Sequence, residues 1–357
     1  MGTIDADAHV IETEETWTHI LPEDKKFSPI AVDQRGGPGS FWRIEDRTYQ
    51  LQNIGYNTTK EAREMTDIEG RLAHMDQLNV DTQILYPTLL LRALTDRAEV
   101  ELAITRGYNR WLADIYERGK GRLRWAAVLP YMTLDAAIEE LKWAKDHGAC
   151  AFMMHGTENF RLPTDSYFFP LYEVAEKLDM PVCIHAGTGS LQVYDYFASD
   201  VFTRFRLSAI GVCGNLIYSG IPKNFPKLRW GFIEFTSAWL PFILGDLVIR
   251  AEAEVALAKE IPDHPIFAQI GFAPKAMGGT QTMLGDNNIY VACQTSDDFP
   301  YVLACAGDDN LVIGTDYGHA DYSNDIEAMH KMASGGIITA ETARKITSDN
   351  PAKLYAL

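Results

Sequence analysis

Near the N-terminus, the run Thr3-Ile4-Asp5-Ala6-Asp7-Ala8-His9-Val10 sets a carboxylate and an imidazole two residues apart. On an extended strand, positions i and i+2 share a face, so Asp7 and His9 are expected to project together toward one cation. Further along, the runs that read as strands also end in metal-ligating types: His155, His185, Glu234 and Asp316, with His319 three residues past the last of them. A single His or Asp at a strand end is ordinarily a turn or cap residue. As a set they mean more, because carboxylates and imidazoles converging on one mouth suit Zn, Fe or Mn.

Bringing these ends together requires a particular arrangement of elements. After the first strand, apolar runs at 81–87, 123–130, 150–155, 181–185, 228–234, 288–294 and 311–316 read as strands. Amphipathic stretches at 98–119, 134–146, 166–179, 239–260 and 298–306 alternate with them as helices, and two short helices close the chain. Near-continuous apolar strands separated by helices mean a parallel sheet covered on its outer face. Eight such units predict an α/β fold, a (β/α)8 TIM barrel, whose chemistry sits at the C-terminal strand ends. No linker divides the sequence, so residues 1–357 are expected to form a single domain. Two segments exceed what a barrel needs. Residues 11–66, including Gln34-Arg35-Gly36-Gly37-Pro38-Gly39-Ser40, read as a long loop insertion or lid after strand one. Residues 190–227 form an apolar excursion expected to be an interface, either of a homodimer or of a hetero-oligomer with a related chain.

Composition narrows the partners. The chain has 46% hydrophobic residues, enough for a large core, and a net charge of -17 that argues against nucleic acid or an anionic membrane surface. Mean hydropathy is -0.14. None of the five cysteines forms a CxxC pair, and several sit inside apolar runs, which predicts buried reduced thiols. No basic-then-apolar leader and no apolar run of membrane-spanning length is seen, so a cytoplasmic protein acting on a small molecule is expected.

Several motifs together resemble a known family, the amidohydrolase-2 branch of the amidohydrolase superfamily, which includes the aminocarboxymuconate semialdehyde and resorcylate decarboxylases. They are Ile4-Asp5-Ala6-Asp7-Ala8-His9, Met75-Asp76-Gln77-Leu78-Asn79-Val80-Asp81, Ile184-His185-Ala186-Gly187, Phe225-Pro226-Lys227-Leu228-Arg229, Gly314-Thr315-Asp316-Tyr317-Gly318-His319 and Asn350-Pro351-Ala352-Lys353-Leu354-Tyr355. The resemblance places Asp7 and His9 on the first-strand ligand pair, often His-x-His, and His185 on the strand-five ligand. It places Asp316 on the aspartate that binds metal and handles the proton of the bound water. In dinuclear members the fourth strand supplies a bridging group, the neighbourhood of His155. One departure stands out: many members carry a histidine in a His-Gly-Gly run after strand six, and this chain has Glu234-Phe235-Thr236-Ser237. Glu234 could replace that histidine as a base, if burial raises its pKa, or bind metal directly.

The resulting expectation is a metal-dependent hydrolase acting on a small organic substrate through metal-activated water. Asp316 and Glu234 are its catalytic groups, and Asp7, His9, His155, His185, Glu234 and Asp316 its metal ligands. Tyr86, Arg92, Gln294 and His319 are expected to line the substrate pocket. Three carboxylates against one divalent cation leave a net negative charge, which keeps a two-metal Fe/Mn oxygenase open as an alternative. Loss of the strand-six histidine keeps a third reading open, a catalytically inactive metal-bearing subunit. Gly187-Thr188-Gly189 lacks the full dinucleotide fingerprint, and no GxSxG elbow is present.

Overall fold

A computed structural model of the chain describes residues 2–32, 41–50, 53–262, 264–266, 277–336 and 338–357. Strands β1 (Ile4–His9), β2 (Ile30–Ala31), β3 (Phe41–Ile44) and β4 (Arg47–Gln50) come first in the chain. They are followed by β5 (Thr82–Tyr86), β6 (Leu123–Val128), β7 (Ala149–Met154), β8 (Val182–His185), β9 (Trp230–Ile233), β10 (Ile289–Cys293) and β11 (Leu311–Ile313). The helices are α1 (Glu14–Thr18), α2 (Lys60–Arg63), α3 (Ile68–Gln77), α4 (Ala98–Arg118), α5 (Leu134–Asp146), α6 (Phe169–Lys177), α7 (Leu191–Tyr196), α8 (Ser208–Ser219) and α9 (Leu240–Glu260). Past the barrel's ninth helix come α10 (Thr280–Asp286), α11 (Phe299–Ala306), α12 (Ala328–Ala333), α13 (Ala340–Arg344) and α14 (Asn350–Tyr355).

Eight parallel strands run in the order β1-β5-β6-β7-β8-β9-β10-β11. The seam between first and last is bridged by backbone bonds, Asp316 N to Asp7 O at 2.9 Å and His9 N to Tyr317 O at 2.8 Å. The result is the predicted (β/α)8 TIM barrel. Gly314 shows why the seam can close: a Cβ there would lie 2.2 Å from Asp7 Cβ, so only glycine lets the two chains approach this closely.

The sequence pattern explains the layers. All six residues of β7 are buried, as expected for a strand with barrel interior on one side and helices on the other. Helix α4 turns Val100, Ile104, Tyr108, Trp111, Leu112 and Ile115 inward at helical spacing. Its buried Asn109 is tied to β6 by bonds to the carbonyl (2.9 Å) and amide (3.1 Å) of Val128. The terminal motif has a structural role. Asn350 Nδ2 donates to the carbonyls of Asp308 and Leu311, both at 2.7 Å, and Tyr355 Oη donates to Ala6 O at 2.9 Å, fixing the chain end to β1 and β11.

Both long segments carry regular structure. Within 11–66, the expected unpatterned loop contains α1, α2 and a three-stranded antiparallel sheet β2-β3-β4. Its strands are two to four residues long, too short to display an alternation. The glycine-rich run 34–40 lies outside the described residues. The 190–227 excursion is helical, with α7 followed by a π-helical turn at Thr203–Leu207 that runs into α8. Val201, Phe202 and Leu207 are exposed there, while Arg204 and Arg206 are buried. Among the described residues no helix is long and apolar enough to cross a membrane.

Candidate metal centre

Asp7 and His9 leave β1 beside an irregularity. Asp5 pairs with Gln83 and Ala8 with Leu85, so β1 carries one extra residue between them. Such a bulge re-aims the side chains next to it. His185 ends β8, Glu234 directly follows β9, and Asp316 and His319 follow β11. Glu234 and Asp316 adopt left-handed backbone, at φ 70° and 50°. For non-glycine residues this costs on the order of 1–3 kcal/mol and persists where surroundings fix it. At Asp316 the amide is held by Asp7 O, and the carbonyl accepts from Asn324 Nδ2 at 2.9 Å.

The hydrogen-bond network assigns the proton on each imidazole. His9 Nδ1 lies 2.7 Å from Pro87 O, and a carbonyl only accepts, so Nδ1 carries the hydrogen. His185 Nδ1 likewise faces Ala186 O at 3.1 Å. His319 is fixed through Thr88, whose hydroxyl donates to Val10 O (2.7 Å) and must therefore accept from His319 Nε2 (2.9 Å). Each ring's bare nitrogen then turns to carboxylates. His9 Nε2 is 3.3 Å from Asp7 Oδ1 and 3.4 Å from Asp316 Oδ1, and His185 Nε2 is 3.2 Å from Asp7 Oδ1. His319 Nδ1 is 2.8 Å from Asp316 Oδ1. With Asp7 and Asp316 ionised these lone pairs meet carboxylate oxygens with no hydrogen between them, while Glu234 Oε2 lies 3.4 Å from His185 Nδ1. His9 Nε2, His319 Nδ1, Glu234 Oε2 and both Asp316 oxygens are buried without a hydrogen-bond partner. Acceptors crowded in this way are costly unless a cation lies among them, and the donor set fits a divalent metal.

Electrostatics agree with that reading. Burial, then the neighbouring Asp321 and Asp7, pushes the Glu234 carboxyl well above its usual range. Burial, with Glu234 and Asp7 close by, does the same to Asp316. Burial lowers both His185 and His319, keeping the rings neutral as ligands must be.

Four-residue sets of donors meet twice, as Asp7, His9, His185 and Glu234, and as His9, Glu234, Asp316 and His319. The structure thus brings together five of the six residues expected as ligands. His155 is not among them. Its Nδ1 is bound to Glu158 at 2.9 Å and its Nε2 lies 3.2 Å from Leu90 O, so both nitrogens are occupied away from the cluster. His319, expected in the pocket wall, lies inside the cluster instead. Tyr86 also departs from the pocket. It is fully buried, with its hydroxyl 3.0 Å from that of Tyr355 and its ring 4.8 Å from the His185 ring. Arg92 does line open space, in a cleft with Arg47, Tyr194 and Asp195. Gln294 is half-buried just past β10, where its backbone N–H donates to Asp297 Oδ2 at 2.9 Å. Sequence reasoning missed Thr88, which sets the His319 tautomer. Its signal was available, a hydroxyl residue immediately past the end of a barrel strand. It also missed Asp321, for which the sequence holds no such sign.

Residues 4–357 match the profile of the family described as Amidohydrolase, and the chain belongs to that family. It is an enzyme of the amidohydrolase superfamily, within the hydrolases and lyases. Among solved structures it is similar to an amidohydrolase from Mycobacterium avium subsp. paratuberculosis K-10, at 18% identity and a TM-score of 0.75 over 99% of each chain. It is also similar to 5-carboxyvanillate decarboxylase from Novosphingobium aromaticivorans in complex with manganese and 4-hydroxy-3-methoxy-5-nitrobenzoic acid. That likeness has 18% identity and a TM-score of 0.67, over 99% of this chain and 96% of that one. A 2,6-dihydroxybenzoate decarboxylase with its substrate matches at 17% identity and a TM-score of 0.60, over 100% of both chains. At these identities the likeness establishes the fold. No curated protein sequence matches the chain significantly.

Proposed function

We propose that this enzyme is a metal-dependent hydrolase of the amidohydrolase-2 type, acting on a small organic substrate through water activated at the cluster. The observation that supports the reading is the convergence of buried, unpartnered acceptors at the barrel mouth. Asp7, His9, His185, Asp316, Glu234 and His319 would hold the metal, with His319 in the place expected for His155. A divalent cation lowers the pKa of a bound water toward about 7 and so supplies a nucleophile at neutral pH. The chain's own part is orientation and proton handling. Pro87 O, Ala186 O and Thr88 Oγ1 fix the three rings, while Asp316 and Glu234 offer unpartnered carboxylate oxygens to take a proton. The segment 11–66 acts as the lid. Zn and Mn both suit this donor set, and the manganese in the carboxyvanillate decarboxylase complex supports Mn.

A second reading turns on the number of donors. The two donor sets share His9 and Glu234, and six donor residues exceed what one four- or five-coordinate ion takes up. Two metal ions fit such a set, and two Fe or Mn ions would redirect the reaction to oxygen chemistry. Metal analysis of the purified chain, followed by turnover assays on small amides, esters and aromatic carboxylates, decides between them. About one Zn or Mn per chain with hydrolysis supports the first reading. About two Fe or Mn, with oxygen consumption and no hydrolysis, overturns it.

A further inference from the structure

We propose that Glu12, which lies outside the donor cluster, is a positioning residue for it: its carboxylate clamps the turn Pro87-Thr88-Leu89, and that turn sets which nitrogen of His9 and of His319 faces the cluster. This rests on the reading of a metal centre and adds what holds two of its rings in place.

Glu12 sits three residues past His9, on the segment leaving β1, and is only 1% exposed. Its Oε1 accepts from the Thr88 backbone N–H at 3.0 Å, and its Oε2 from that of Leu89 at 2.9 Å. The same turn holds both rings. His9 Nδ1 donates to Pro87 O at 2.7 Å, and His319 Nε2 donates to Thr88 Oγ1 at 2.9 Å. Two further bonds join the exits of β1 and β5, Val10 N to Tyr86 O at 3.1 Å and Thr88 Oγ1 to Val10 O at 2.7 Å. One side chain thus fixes, through a single turn, the orientation of two imidazoles that arrive from β1 and from beyond β11.

The clamp also explains why Thr88 is free for this task. A threonine just before a helical turn ordinarily uses its hydroxyl to cap the leading N–H groups of that turn. Thr88 precedes the 3-10 turn Leu89–Leu91 and makes no such bond. Glu12 supplies acceptors from a different strand instead, and the hydroxyl is left to Val10 O and His319. Two N–H groups aimed at one side chain call for two acceptor oxygens and no donor, which an ionised acid offers and an amide does not. The position is an unfavourable one for the charge. Burial raises the Glu12 carboxyl from 4.5 to about 7, and the N–H groups of Leu89 and Thr88 offset only part of that rise.

Titration of the chelator-stripped full chain with Co2+, at a pH above that value, tests this, because the visible absorption of cobalt reports the geometry of its ligands. Glu12→Gln keeps the size of the side chain but turns an NH2 group toward one of the two backbone N–H groups. It should weaken Co2+ binding by about 10–100-fold, the usual effect of disturbing groups that orient ligands, and alter the spectrum as Thr88→Val does. In the double variant the loss should fall short of the product of the two single losses, since both act through the bond between Thr88 and His319. If Glu12→Gln fails to fold, Glu12→Asp carries the same comparisons, because it keeps the charge but draws the carboxylate back from the turn. A variant that lowers only the melting temperature, with the affinity and spectrum of the parent, overturns the proposal. Single losses that multiply in full overturn it as well. A parent chain that takes up no Co2+ refutes the metal reading itself, and this proposal with it.

Discussion

The His319 ring lies stacked on that of His9, with centroids 3.7 Å apart and planes 23° from parallel, and its Nδ1 is 2.8 Å from Asp316 Oδ1. Two imidazoles from opposite sides of the barrel seam thus present bare nitrogens to the same carboxylate. That relationship supports the proposal of His319 as a ligand and separates it from His155, whose nitrogens are both occupied.

Replacing His9, His185 or His319 by Ala should remove most bound metal while leaving a folded barrel. His155→Ala should keep it. Metal content by atomic emission, with circular dichroism as the folding control, reads the outcome. Full occupancy in His319→Ala would return that residue to the pocket wall.

Thr88→Val should weaken metal binding about 10–100-fold, the usual effect of removing a group that orients a ligand. Valine keeps the shape but cannot accept the His319 Nε2 hydrogen, so the ring is free to rotate or change tautomer. Thr88→Ser restores the acceptor and should restore affinity. Competition with a metal-sensitive dye measures both.

Glu234→Gln separates the two roles proposed for this residue, base and ligand. As a base alone, the variant keeps its metal and loses turnover, since the amide has the size of the acid but cannot take a proton. As a ligand, metal content falls, most at a second site. Normal metal and normal turnover together would leave Glu234 with a structural role.

Glu101 should make stability fall as pH rises. Burial, with Glu158 nearby, raises its carboxyl from 4.5 to about 8. The proton is therefore held more tightly in the folded chain. The contribution is complete below about pH 4.5 and is lost as pH climbs through about 8. Glu101→Gln still offers an oxygen to the Met132 amide, which Glu101 Oε2 now accepts at 2.8 Å. The variant should lose this part of the decline, seen as a melting temperature on the order of 2–5 °C above the parent near pH 9.

The exposed apolar residues of the 201–218 region, Val201, Phe202 and Leu207, lie on the segment that leads into α8, and α9 adds exposed Phe242 and Ile249. We expect this surface to join two copies of the chain or a related chain. Light scattering should give a dimer at micromolar concentration, and Phe242→Glu combined with Ile249→Lys should give a monomer. A monomeric parent chain ends the idea.

The sequence by itself determined the barrel and most of the candidate site. Apolar runs of four to eight residues alternating with helical periodicity leave few other ways to bury both faces of a parallel sheet. Such a barrel gathers its strand ends at one mouth, so Asp7, His9, His185, Glu234 and Asp316 could be named from their positions alone. What needed the tertiary structure was direction. His155 and His319 both follow strands, and nothing local distinguishes them. Glu158 and Leu90 turn one away, while Thr88, brought in from another strand, turns the other toward Asp316. The short antiparallel sheet of the insertion was likewise illegible, because strands of two to four residues carry no readable period and form only through partners across the chain.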